Sequence, residues 1–346
     1  MNVMLNRLPG PVLIVGAYGY RNLGDEAILA GLIAKLGPVP ATVVSRDPLD
    51  TTRMHGVPAI GIGVAARALL RHRSIVIGGG GLFGRDMGRI GRLLPAYGLA
   101  ALGMGRTVVI EGVDLDARLA TSARLMVPPL MRGAARVTVR DWRSAAILES
   151  WGVPANVAPD ASAWMWPAGA VVGRSVLHAA GVDLRRPVVG LALSGVQPRA
   201  GERALEAVAD AMAALPDIQF CFLPMSRHPA VAAHDDMRLA IRLRKLRPSL
   251  LVLEEVQHPA VMLSAVGQLS AVVGMRYHAM LFADRMAVPL VPLVYAEKNL
   301  RWLDERQIRP VEPTPAALTA AIWASLARDE RAAFRIAPVR ELVPAR

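Results

Sequence analysis

Short apolar runs recur along the chain, each closed by glycine or polar residues, and most are followed by a segment whose apolar residues repeat at helical spacing. Pro11 to Gly16 predicts a strand. The loop Ala17 to Asp25 carries turn residues at 19, 22 and 24, and Ile28, Leu29, Leu32, Ile33 and Leu36 predict a helix from Glu26 that stops at Gly37-Pro38. Ala41 to Ser45 reads as a second strand, Arg53 to Arg73 as a small strand and a basic helix, and Ser74 to Ile77 as a third buried strand running into Gly78-Gly-Gly-Gly-Leu-Phe-Gly84. Helices over Leu93–Gly105 and Ala117–Met131 flank a strand at Thr107–Glu111, and Val137-Thr-Val-Arg-Asp141 precedes a helix from Ser144 to Trp151. Pro154 to Arg186 breaks the rhythm and reads as a connection between domains. Strands then follow at Val188–Leu193, Gln219–Leu223, Leu250–Leu253, up to Gly274 and at Val288–Val294. Helices are expected at Glu202–Leu215, at His234–Leu246, at Val261–Leu269, after Gly274 and, last, at Ala316–Arg331.

Repeated strand–helix alternation implies parallel, doubly wound sheets, and 346 residues exceed what one hydrophobic core usually covers. The expected fold is α/β, two Rossmann-like doubly wound domains facing a cleft, at 1–175 and 176–346, with the last helix crossing back to the first domain. A 53% hydrophobic composition with regular Gly and Pro punctuation is that of a globular chain. The single cysteine, Cys221, sits between Phe220 and Phe222 and reads as a small core residue; an intrachain disulfide and a thiolate cluster are excluded. Val12 to Tyr18 lacks the length and cleavage pattern of a signal peptide, and no apolar run is long enough to span a bilayer. The expected location is cytoplasmic. A formal charge of +12 admits nucleic acid, an acidic substrate or peripheral contact with the anionic inner face of a cell membrane. Nucleic acid is disfavoured, because the arginines are dispersed, aromatics are 5% and no helix-turn-helix, zinc-finger or RRM signature occurs.

Candidate chemistry gathers where strands end. In Val272-Val-Gly-Met-Arg-Tyr-His-Ala-Met280, Arg276 and His278 stand at a strand-to-helix turn, where an open parallel sheet holds ligands. Arg276 offers a planar fork for a carboxylate or phosphate, and His278 can carry a proton near neutral pH. The next strand ends in Tyr295-Ala-Glu-Lys298, and lysine occurs only at 35, 245 and 298, which marks Lys298 as a second candidate cation. The competing reading of Arg276 and His278 is a surface pair that steadies a loop. Asn22 and Asp25 fit either a sugar hydroxyl or a helix cap. The glycines at 78–81 fit close approach of another chain segment or of a ligand. Neither a dinucleotide fingerprint nor a P-loop is present. His228 and His234 with Asp235 and Asp236 lack metal-site spacing, so no metal is expected, and the Asp pair reads as the charged start of a helix.

Three separated motifs resemble the polysaccharide pyruvyltransferase family, in its bacterial cell-surface branch that modifies secondary cell-wall polymers. They are Gly16-Ala-Tyr-Gly-Tyr-Arg-Asn-Leu-Gly-Asp-Glu-Ala-Ile-Leu29, Gly78-Gly-Gly-Gly-Leu82, and Gly274-Met-Arg-Tyr-His-Ala279 through Tyr295-Ala-Glu-Lys298, with Arg140-Asp141 similar to that family's Arg-Asp turn. The resemblance implies a GT-B-like fold and transfer of a pyruvyl group from phosphoenolpyruvate to two hydroxyls of one sugar, as a ketal, in a cell-surface polysaccharide or its lipid-linked precursor. It places Arg276 and His278 in catalysis, Arg140, Arg276 and Lys298 on phosphoenolpyruvate, and Asn22, Gly24 and Asp25, with Gly79 and Gly80, on the acceptor side. Phosphoenolpyruvate is then a co-substrate, and no resident cofactor is expected. His278 is the expected general acid toward the methylene carbon, and His278 after donation or Asp25 the expected base. Two alternatives stand beside it: a GT-B glycosyltransferase using a nucleotide-sugar, with Glu297 reading the nucleotide, and a non-catalytic basic protein that binds a membrane surface.

Overall fold

The computed structural model describes residues 4–83, 90–116, 119 and 121–329. The chain divides into two compact units, Met1–Trp166 and Pro167–Arg346. The first holds β1 (Val12–Val15), α1 (Leu23–Leu36), β2 (Ala41–Ser45), α2 (Pro48–His55), β3 (Ala59–Gly61), α3 (Ala65–Ala68), β4 (Ser74–Phe83), α4 (Ile90–Gly103), β5 (Thr107–Leu115), α5 (Thr121–Gly133), β6 (Arg136–Val139), α6 (Trp142–Ser150) and β7 (Asn156–Val157). Its seven strands are parallel, in the order β3-β2-β1-β4-β5-β6-β7. The second holds α7 (Ala170–Ala179), β8 (Val188–Ala192), α8 (Pro198–Ala214), β9 (Gln219–Phe222), α9 (Met237–Leu246), β10 (Leu251–Val252), α10 (Pro259–Val266), β11 (Ala271–Gly274), α11 (Tyr277–Arg285), β12 (Leu290–Pro292), α12 (Glu297–Glu305) and α13 (Pro315–Asp329). Its five parallel strands run β10-β9-β8-β11-β12.

In each sheet the strand order reverses beside the first strand. β1 pairs with both β2 and β4, and β8 with both β9 and β11. Such reversals open a crevice at the carboxyl ends of the strands. The central strands β1, β8 and β11 are buried along their whole length, which is why they read as unbroken apolar runs. Cys221 lies buried in β9, and burial pushes its thiol up to about 12.

Several boundaries differ from expectation, each for a local reason. α1 begins at Leu23, because the Asn22 side chain accepts from Gly24 N and caps it. β4 does not stop at Ile77 but continues through the glycines, pairing Gly78 with Glu111 and Gly80 with Val113. α2 was not expected at all; Asp47 caps it, Pro48 starts it and left-handed Gly56 ends it. The expected inter-domain connection contains α7, which packs on α10, so residues 167–175 belong with the second unit. Gly173 permits that packing, since a Cβ there would lie 2.5 Å from Ser264 Oγ. α13 packs on α8 and on the second unit's own strands β11 and β12, through Leu318 and Ile322. The expected starts and ends at Gly84, Ala117 and Arg331 lie outside the described residues.

Candidate active site

At the reversal in the second unit, the β11 backbone turns sharply after Gly274. Met275 N and Arg276 N both donate to Ala192 O at the end of β8, at 2.9 and 3.2 Å. The Arg276 carbonyl then starts α11, accepting from Ala279 N at 3.0 Å and Met280 N at 3.2 Å. A fully buried Asn299 on α12 fixes the turn from below, its Nδ2 donating to Met275 O at 2.6 Å. His278 therefore occupies the first turn of α11, half-buried, where unpaired backbone N–H groups favour an anion. Its ring meets Tyr277 edge-on with centroids 5.4 Å apart.

The Arg276 side chain is held rather than free. Its Nε donates to Asp236 Oδ1 and Oδ2 at 3.2 and 3.1 Å, and its Nη2 bonds the same carboxylate. Asp236 is completely buried, and its Oδ2 also accepts from Met225 N at 3.1 Å and Ser226 N at 2.9 Å. Burial acts to lower the guanidinium pKa, but the adjoining Asp236 carboxylate, with a contribution from Tyr295, raises it above its ordinary value, so Arg276 stays charged. This corrects the sequence reading of the Asp pair: Asp236 makes no side-chain cap to α9, whose first residue is Met237 rather than His234. Asp235 does sit on the helix start as expected, its Oδ1 accepting from Met237 N at 3.3 Å, and it also pairs with Arg227 Nε at 3.3 Å.

Two more groups complete the cluster. Lys298, in the first turn of α12, sets its Nζ 5.8 Å from the Tyr277 ring centroid and has no ion pair among the described residues. His234 carries a pKa lowered by burial first, then by the charges of Arg276, His228 and Lys298, which places those groups around it. The His228 and His234 rings meet edge-on at 5.7 Å, and His228 Nδ1 accepts from Ala230 N and Val231 N at 3.1 and 3.0 Å. Among the described residues, no three His, Cys, Asp or Glu side chains converge as a metal site would require. Asp236 and His234 are the functional candidates that sequence reasoning missed. An acidic residue before a helix matches a cap signature, and nothing local signals a partner forty residues away.

The first unit brings Asn22, Gly24, Asp25, Gly79 and Gly80 to one edge. Asn22 Nδ2 donates to Asp25 Oδ2 at 2.6 Å, and its Oδ1 accepts from Gly24 N at 3.2 Å. The glycine run is explained mainly by packing. A Cβ on Gly78 would lie 2.2 Å from Leu32 Cδ1, and one on Gly79 2.0 Å from Ile28 Cγ2, so α1 seats directly on β4. Gly79 and Gly80 also hold positive φ, 71° and 80°, and a Cβ on Gly80 would lie 3.3 Å from Asp25 Oδ1. Beneath the loop, buried Glu26 accepts from Gly19 N at 2.8 Å and pairs with His55 Nε2 at 2.8 Å. Tyr18 donates to Gly78 O at 2.9 Å; burial, then Asp25, Glu26 and Asp160, raises its phenol well above the usual value.

Arg140 lies in this first unit, and its buried guanidinium is already matched by two carboxylates, Asp114 Oδ2 at 2.6 Å and Asp160 Oδ2 at 2.8 Å. That pairing ties the ends of β5 and β6 to the segment entering Ala161. It sets Arg140 apart from Lys298, which has no ion pair among the described residues.

Two Rossmann-like sheets in series define the GT-B class. Solved structures similar to the chain include UDP-GlcNAc 2-epimerase from Neisseria meningitidis bound to UDP-GlcNAc, with a TM-score of 0.63 at 12% identity over 92% of each chain. The S. aureus MnaA–UDP structure gives 0.63 at 11% over 94% of this chain and 89% of that one, and E. coli ADP-heptose LPS heptosyltransferase II gives 0.55 at 12% over 93% and 100%. At such identities these likenesses speak for the fold alone. The sequence profile named polysaccharide pyruvyl transferase matches residues 22–297, and the chain belongs to that family. No curated protein matches it by sequence.

Proposed function

We propose that the protein transfers the pyruvyl group of phosphoenolpyruvate to two hydroxyls of one sugar in a cell-surface polysaccharide or its lipid-linked precursor. The observation that carries this reading is Arg276, locked by buried Asp236 at the β8/β11 reversal, with Lys298, which has no ion pair among the described residues, over the ring of the adjoining Tyr277. Phosphoenolpyruvate bears a carboxylate and a phosphate on a three-carbon frame, and an oriented guanidinium with a compact ammonium suits that pair of anions. Membership of the family supports the same assignment.

In the proposed chemistry His278 gives its proton to the methylene carbon, so the C=C bond becomes a methyl group and the adjoining carbon an oxocarbenium-like centre. A sugar hydroxyl adds there, its proton passing to His278 or to His234, which is neutral near pH 7. The bond from that carbon to the phosphate oxygen then breaks, Lys298 and Arg276 stabilising the departing phosphate. A second hydroxyl closes the ketal and gives up the last proton. The sum is phosphoenolpyruvate plus two hydroxyls to ketal plus inorganic phosphate. For the acceptor sugar we assign Asn22, Gly24, Asp25, Gly79 and Gly80; Arg140 serves to hold its part of the first unit in place rather than to bind phosphoenolpyruvate.

A nucleotide-sugar donor is the second reading, favoured by the UDP and UDP-GlcNAc present in similar folds. Incubation with phosphoenolpyruvate and a panel of cell-wall saccharides, followed by phosphate release and a new methyl singlet in the proton spectrum, tests the first reading. Release of a nucleotide from a nucleotide-sugar, with no phosphate from phosphoenolpyruvate, would replace it with the second.

A further inference from the structure

Residues 62–73 form a surface of a different kind. Ile62, Val64 and Leu70 expose 49%, 47% and 68% of their area, whereas Ala65, Ala68 and Leu69 of the same segment are buried in the first unit's core. The segment is therefore anchored on one side and presents branched apolar side chains on the other. The Tyr97 hydroxyl donates to Ala65 O at 2.7 Å, seating α4 against it. Leu93, one helical turn before Tyr97 on α4, is itself 60% exposed. Interleaved with the apolar residues are Arg67, Arg71 and Arg73, all exposed and none with an ion pair among the described residues. Between Asp50 and Asp86 the chain contains no acidic residue.

The contrast with α9 is informative. That helix is equally basic on its outer face, but Arg242 pairs with Glu202 and Arg244 with Glu254. Two of its four cations are thereby matched, Arg238 and Lys245 having no ion pair among the described residues, whereas none of Arg67, Arg71 and Arg73 is matched.

We propose that residues 62–73, with Leu93, dock on an anionic lipid surface, the apolar side chains entering the headgroup boundary and the three arginines meeting lipid phosphates. Neither element suffices by itself. A few exposed apolar side chains give marginal partition, and arginines at a lipid surface are screened by salt, but the combination is what interfacial segments use. A neutral partner would leave three unmatched cations unaccounted for, so a zwitterionic membrane or an apolar protein groove fits the segment less well. This inference stands apart from the reaction, since it concerns residues given no part in it.

The test is co-sedimentation of the full-length protein with vesicles of phosphatidylcholine alone or mixed with phosphatidylglycerol, at low and high salt. Binding is expected only to the mixed vesicles and is expected to weaken as salt rises. Replacing Arg67, Arg71 and Arg73 together by Gln should weaken it roughly 100-fold, at about five-fold for each basic residue near such a surface. Leu70→Asp should weaken it as well, and because that side chain is already exposed the variant keeps its fold, as circular dichroism would verify. The pair Arg242→Gln and Arg244→Gln should bind like the parent protein. Equal binding to both vesicle types, loss in the α9 pair instead of the segment variants, or self-association abolished by Leu70→Asp without vesicle binding would each overturn the proposal.

Discussion

Asp236 gives Arg276 its position, and in doing so becomes a carboxylate that cannot be removed cheaply. A buried pair broken on one side leaves an uncompensated charge, at a cost of about 3–5 kcal/mol. Asp236→Ala is therefore expected to lower the unfolding free energy by about that much in a urea titration, while replacing both partners by apolar residues should cost much less. A single-variant loss no larger than that of an exposed pair would contradict the clamp. His278→Gln should leave the fold intact and reduce kcat by about 100- to 10,000-fold, the range of a lost general acid. His234 carries a pH signature of its own. Its folded pKa lies below the ordinary histidine value, so at acid pH the unfolded chain binds more protons than the folded one and stability falls as pH drops below about 6.5. Urea midpoints at neutral and acid pH should differ less in His234→Gln than in the parent. At this scale the sequence showed Arg276, His278 and Lys298 following the ends of strands, as they do after β11 and β12. It was silent where burial converts a residue's role, as at Asp236.

At the scale of elements, two short devices shape the first unit's edge. Asn22 caps α1, and Asn22→Ala should cost about 1 kcal/mol, measurable as a fall in Tm. Gly79 sits at positive φ with Ile28 against it, so Gly79→Ala should destabilise by at least about 1–3 kcal/mol. Gly81 faces open space without positive φ, and Gly81→Ala should stay within about 0.5 kcal/mol of the parent. Equal effects at 79 and 81 would mean that the run exists for flexibility rather than for the seating of α1. Most elements were legible, since buried strands such as β1 and β11 are continuous apolar runs and the helices between them keep their spacing. α7 was not. It stands between Pro167 and Pro187 in a stretch whose punctuation resembles a linker, and only its packing on α10 reveals that it belongs to the second unit. The helix at 234–246 was read too long because Asp236 turns inward to Arg276 instead of continuing the helical surface.

For the whole molecule, two parallel sheets with the same reversal supply two edges of different chemistry. The first unit's edge is polar, and its named charges lean negative: Asn22 bonds Asp25, and the single Arg140 faces both Asp114 and Asp160. At the second unit's edge Arg276 is matched by Asp236, while Lys298 has no ion pair among the described residues. In the proposed reading that difference favours the second unit for the carboxylate and phosphate of phosphoenolpyruvate. Alternation of strands and helices made the two-sheet plan legible, whereas which cations remain unmatched depends on long-range pairing and could be seen only in the fold. Isothermal titration with phosphoenolpyruvate, of the parent protein and of Arg276→Ala, with nucleotide-sugars titrated alongside, tests the donor assignment most directly. Saturable binding of phosphoenolpyruvate that disappears in the variant is the expected result; absence of that binding together with clear binding of a nucleotide-sugar would contradict it.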